Sequence, residues 1–97
     1  IILHEISNPV QYSLDAPYPN PFNPTTRIDF SIAENIDDLT LNIYDIRGRL
    51  VTKLLSGSIN KGYHYITWNA HRIASGIYFV HMNADNHIFN RKITLLT

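Results

Sequence analysis

The chain contains no cysteine. That absence excludes disulfides and thiolate metal sites, and it leaves the redox compartment open. The chain also has no excess of either charge: eight Lys and Arg balance eight Asp and Glu, for a formal net charge of zero, and there is no basic run. Nucleic acid and acidic membrane surfaces are therefore not expected as partners. No apolar stretch approaches the roughly 18–20 residues of a membrane span, and no signal peptide is visible. No segment of about ten or more residues carries the 3.6-residue apolar period of an amphipathic helix. The first residue is Ile1 rather than methionine, so the expectation is a fragment of a longer protein or a processed product.

What is present is 97 residues, 44% of them apolar, with moderate charge. This fits one folded domain. A chain of that size buries roughly 65% of the surface its extended form exposes, enough for one core. Three of the five prolines sit in one stretch, Tyr18-Pro19-Asn20-Pro21-Phe22-Asn23-Pro24-Thr25-Thr26. Each proline fixes its own φ and lacks a backbone donor, and each biases the residue before it toward extended backbone. The stretch reads as a stiff arm carrying two large rings, Tyr18 and Phe22. A stiff arm loses little entropy on ordering, so it suits a packed plug at one end of a β-domain, and equally a peptide that a partner recognises. Proline in the middle of Asn23-Pro24-Thr25 prevents glycosylation there.

The rest of the chain alternates with period two. Ile1 to Ile6 reads as a linker remnant or an edge segment, and Val10 to Leu14 as a short strand. In Thr26 to Ile32, Ile28, Phe30 and Ile32 point one way and Arg27, Asp29 and Ser31 the other, the pattern of a half-buried strand. Ala33 to Asp38 reads as a polar loop. Leu39 to Ile46 is a strand with Leu39, Leu41 and Ile43 inward. Asp45-Ile46-Arg47-Gly48-Arg49 is a turn, since Gly48 tolerates positive φ and Asp45 can accept from the backbone ahead of it. Leu50 to Leu55 is a strand ended by Ser56-Gly57-Ser58. In Tyr63 to Asn69, His64, Ile66 and Trp68 share one face and Tyr63, Tyr65 and Thr67 the other. Ile77 to Ala84 places Tyr78, Val80 and Met82 in phase. Asp85-Asn86 is a two-residue hairpin turn, and His87 to Leu96 returns with Phe89, Ile93 and Leu95 in phase. Six or seven short strands at this spacing predict an all-β antiparallel sandwich with Trp68 as its large central filler.

Little in the chain suggests catalysis or metal chemistry. The five histidines, His4, His64, His71, His81 and His87, lie in five different segments without a Ser/His/Asp or paired-carboxylate pattern, so no enzyme is expected. Glu34, Asn35, Asp37 and Asp38 lack the spacing of a calcium loop and read as solvated. Asp85, His81 and His87 can approach across a hairpin, a thin argument for zinc. No cofactor is expected. Tyr63 and Tyr65 share an outward face, which carries the alternative of a carbohydrate-binding or other accessory module, against ordinary cross-strand pairing.

Five landmarks in order resemble one known family, the type A C-terminal sorting domain of type IX secretion in Bacteroidota. They are the Tyr18–Thr26 arm followed by Ile28 and Phe30; Tyr44-Asp45-Ile46-Arg47-Gly48-Arg49; Trp68-Asn69; Ala74-Ser75-Gly76-Ile77-Tyr78-Phe79; and Arg91-Lys92-Ile93 with Leu95-Leu96. The chain departs from the pattern at Pro17, at Asp85-Asn86 and at Thr97, where the family favours Asn, a Gly-containing turn and Lys. The resemblance implies an immunoglobulin-like sandwich of about seven strands over residues 17–97, preceded by a linker and first edge strand in 1–16. It implies a signal that sends an attached cargo from the periplasm through the outer-membrane translocon to the cell surface, followed by sortase cleavage and anchoring of the cargo. The residues expected to meet the translocon fall into two surfaces. One is the arm, Tyr18, Pro19, Asn20, Pro21 and Phe22, with the Asp45, Gly48 and Arg49 turn. The other is the last strand with Arg91, Lys92 and Ile93; Gly76 and Tyr78 complete the set. The last strand is also an expected edge, open to pairing with a second copy.

Overall fold

A computed structural model describes residues 11–97. The expectations for Ile1 to Ile6, His4 and Val10 lie outside the described residues. Seven strands form: β1 (Ser13–Leu14), β2 (Thr25–Ile32), β3 (Ile36–Asp45), β4 (Leu50–Ile59), β5 (Gly62–Asn69), β6 (Gly76–Ala84) and β7 (His87–Leu95). They build two antiparallel sheets, ordered β1-β2-β5 and β4-β3-β6-β7. The division into three and four strands, with connections that cross between sheets, is the β-sandwich the alternation predicts, in the immunoglobulin-like form that the family resemblance implies.

The inward phases are those read from the sequence. Ile28, Phe30 and Ile32 of β2 face Leu39, Leu41 and Ile43 of β3, and all are 2% exposed or less. Val80, Met82, Ile93 and Leu95 close the core from β6 and β7. Each such side chain is worth roughly 1.5–3 kcal/mol of burial. The Asp85-Asn86 hairpin forms with both residues at positive φ, 51° and 70°, as that turn requires.

Three expectations are corrected. Ile36 belongs to β3, not to a polar loop: the register against β4 shifts between Ile36 and Leu39. The bulge leaves Asp37 and Asp38 both exposed, so the two-residue period breaks and hides a buried isoleucine. For the same reason β4 runs on through Ser56-Gly57-Ser58 to Ile59, with Gly57 opposite Leu39 and Ile59 opposite Ile36. Trp68 is not central. It is the penultimate residue of an outer strand and packs at one end of the core, 5.5 Å from the Phe22 ring and 5.9 Å from Tyr78. The middle of the core is aliphatic.

Candidate functional site

The arm leaves β1 and crosses from one sheet to the other at the Trp68 end of the sandwich. Its first half is tied to β2: Tyr18 and Arg27 exchange backbone hydrogen bonds at 3.0 and 2.8 Å, and the buried Thr26 hydroxyl donates to the Pro19 carbonyl at 2.9 Å. Its second half is tied to β7. The Phe22 N–H donates to the Thr94 carbonyl and the Leu96 N–H to the Phe22 carbonyl, each at 2.9 Å. Phe22 thereby pairs with Leu95 in parallel, and its ring, 2% exposed, enters the core beneath Trp68. The Ala70 N–H then donates to the Pro24 carbonyl at 2.8 Å, returning the arm to the end of β5. Tyr18-Pro19, Asn20-Pro21 and Asn23-Pro24 are cis.

Between these anchors Asn20 acts as a short piece of backbone. Its Nδ2 donates to the Lys92 carbonyl at 3.1 Å and its Oδ1 accepts the Thr94 N–H at 3.0 Å. Upstream, the Arg91 Nε donates to the Leu14 carbonyl at 2.8 Å, and Tyr12 stacks on His87 with centroids 4.5 Å apart. Residues 12–22 therefore form a strap along the outer side of β7, from His87 to Leu96. The grouping expected from sequence is corrected accordingly: the arm shares a surface with Arg91 and Lys92. The Asp45–Arg49 turn stands at the same end, beyond β6, with Asp45 opposite Tyr78.

That turn is held by one carboxylate. Asp45 Oδ1 accepts the N–H groups of Arg47 and Arg49 at 2.9 Å each, and its Oδ2 accepts the Arg49 Nε at 3.0 Å. Gly48 sits at φ 81°, which a residue with Cβ adopts only with strain. The Arg49 N–H, then the Arg47 N–H and the Arg49 guanidinium, hold the Asp45 carboxyl below the usual carboxylate range, against the opposing effect of desolvation.

The expected recognition residues thus divide by accessibility. Tyr18, Asn20, Pro21, Gly48, Arg49, Arg91 and Lys92 are exposed, and Pro19 is exposed with its carbonyl engaged. Asp45 and Gly76 are half-buried. Phe22, Tyr78 and Ile93 are inside, where Tyr78 donates its hydroxyl to the Ala74 carbonyl at 2.6 Å. Sequence reasoning missed Thr26 and the pairing of Asn20 with β7. It also missed a stack on the outer face of β2, where the Arg27 guanidinium lies 3.8 Å over the Tyr65 ring and 6.0 Å from that of Tyr18. Alternation alone put Arg27 and Tyr65 on outward faces, and that was the available signal. No group of three or more potential metal ligands gathers among the described residues, and no described helix is long and apolar enough to cross a membrane.

An all-β sandwich whose proline arm is laced to β7 is a small non-helical module. The family profile of the secretion system C-terminal sorting domain matches residues 16–95. The chain belongs to that family, and it is a C-terminal sorting signal of the type IX secretion system. Among solved structures it resembles PorZ of Porphyromonas gingivalis, described as an essential bacterial surface component of the type IX secretion system. The TM-score is 0.56 at 19% identity, over 89% of this chain and 11% of PorZ. That likeness bears on the fold, and the chain spans only this small part of PorZ's length. No curated protein matches the chain.

Proposed function

We propose that the folded sandwich presents the strap and β7 together as the surface the export machinery reads. The observation that supports this is the lacing of Asn20 and Phe22 to Lys92, Thr94 and Leu96. It leaves Tyr18, Asn20, Pro21 and Lys92 exposed on a rigid frame, where recognition costs little ordering entropy. In this reading the attached cargo is delivered from the periplasm through the outer-membrane translocon to the cell surface or the medium. A sortase then cuts upstream of the sandwich and joins the cargo to its anchor. The domain does no chemistry itself; it requires no metal and no cofactor.

The test is an export assay. Residues 1–97 are fused to the C-terminus of a periplasmic fluorescent reporter in a strain with a working type IX system and in a translocon-deficient control. Delivery to the surface or medium only in the competent strain is expected. Retention in the periplasm of both strains, with the domain folded, overturns the reading. Charge reversal at Lys92 then tests the surface, since it leaves every backbone bond of the strap in place.

A further inference from the structure

The outer face of the β1-β2-β5 sheet carries an open groove. Its volume is about 390 Å³. The register explains its shape. Ser13, Ser31 and Tyr63 lie in one row across the three strands, and Asp29 lies opposite Tyr65 in the next. Short side chains form the floor, and two tall rings on the outer strand form a wall. Those rings are 70% and 60% exposed. Arg27 closes one end, its guanidinium on Tyr65 and its Nε donating to Asp29 at 2.9 Å. The wall at Tyr65 is therefore held in place before any ligand arrives, which lowers the ordering cost of binding.

The hydrogen-bond inventory of the floor sets the ligand chemistry. Ser31 spends its only proton on the Gln11 carbonyl at 2.8 Å. The Ser13 hydroxyl, 2.7 Å from Ser31 Oγ, must then donate to it. Asp15 is left with Ser13 Oγ at 3.5 Å as its side-chain neighbour, too long for a good bond. The floor thus offers acceptors: the Asp15 carboxylate and the free lone pairs of Ser13 and Asp29. The wall offers the two tyrosine hydroxyls, and Arg27 its remaining N–H groups. A ligand that fits brings many hydroxyl donors and apolar C–H faces to lay on the Tyr63 ring. An anion meets the unpaired Asp15 carboxylate. A cation meets Arg27, which already occupies the Tyr65 face that would attract it.

We infer that this groove binds neutral carbohydrate, with Tyr63 as the stacking platform and Asp15 and Asp29 as acceptors for sugar hydroxyls. The site shares Ser13 and Asp15 with the strap but takes in none of the residues hydrogen-bonded to β7, and its failure leaves the sorting role untouched. The 97-residue chain, labelled with nitrogen-15, is titrated at millimolar ligand with neutral oligosaccharides of glucose, mannose, galactose, xylose and N-acetylglucosamine, and separately with oligolysine. The expected result is saturable movement of the Ser31, Tyr63 and Tyr65 amide signals with at least one sugar. Tyr63→Ala, an exposed position that leaves the spectrum folded, is expected to weaken that binding about tenfold or more. The inference is overturned if no sugar moves these signals, if Tyr63→Ala binds as tightly as the parent, or if oligolysine fills the groove in place of the sugars.

Discussion

The Asn20 side chain occupies the place of a neighbouring strand beside Thr94, accepting its N–H at 3.0 Å while donating to the Lys92 carbonyl at 3.1 Å. Asn20→Ala removes both bonds and returns that edge of β7 to water. The expected cost is about 1 kcal/mol, because the freed groups are solvent-accessible. A lower urea midpoint with unchanged slope measures it, and faster hydrogen exchange at the Thr94 amide locates it. An unaltered Thr94 exchange rate contradicts this role for Asn20.

Phe22→Ala acts through the core instead. The ring is buried against Trp68, and its loss leaves a cavity worth roughly 3–5 kcal/mol. A domain of this kind has only about 5–15 kcal/mol in total. The variant is expected to be largely unfolded or much less stable, with Trp68 fluorescence shifted to that of a wetter indole. Near-native stability argues that the arm is not part of the core.

Acid sensitivity follows from Asp45. Its carboxyl is held low in the folded turn, first by the Arg49 N–H, so the unfolded chain takes up its proton more readily. The stabilisation is complete above the unfolded value of about 3.9 and is lost as pH falls through the lower folded value. Asp45→Asn is expected to lower Tm near neutral pH and to make little difference well below that window. An equal gap between the two proteins at both ends of the titration shows that the charge is not what matters.

Arg91 and Lys92 are adjacent on β7 but differ in consequence. Arg91 spans to the Leu14 carbonyl at 2.8 Å and so ties β7 to β1, whereas no hydrogen bond or ion pair engages the Lys92 side chain in the described structure. Arg91→Ala is expected to cost about 1 kcal/mol and Lys92→Ala under about 0.5 kcal/mol. Both sit on the proposed recognition surface. Loss of reporter export in Lys92→Ala at full stability supports recognition there; normal export moves the surface elsewhere.

Much of the sandwich was legible because its strands bury one face each. Ile28, Phe30 and Ile32, or Val80 and Met82, announce themselves by alternation, and Asp85-Asn86 by turn chemistry. Ile36 was not legible, since a bulge sets two exposed aspartates between it and Leu39. The arm showed as stiff but not as laced to the chain's last strand. Asn20 and Lys92 are 72 positions apart, and a side chain that substitutes for a strand leaves no period to read. Arg91 looked like a free surface charge for a related reason. It shares the inward phase of Phe89 and Ile93 but lies at an edge, and only the neighbouring sheet reveals the carbonyl it reaches.

The direction of the strap has a mechanical consequence. Tyr12 lies beside His87 and Phe22 beside Leu95, so the strap runs the same way as β7. If the C-terminus is drawn forward while the N-terminal side is held back, the load on Asn20 and Phe22 acts along the strands, across the slanted hydrogen bonds of a parallel pairing. Those bonds are strained together, in shear. An antiparallel strap under the same pull opens like a zipper, one bond after another. Towed by its tail, the domain resists as a single joint.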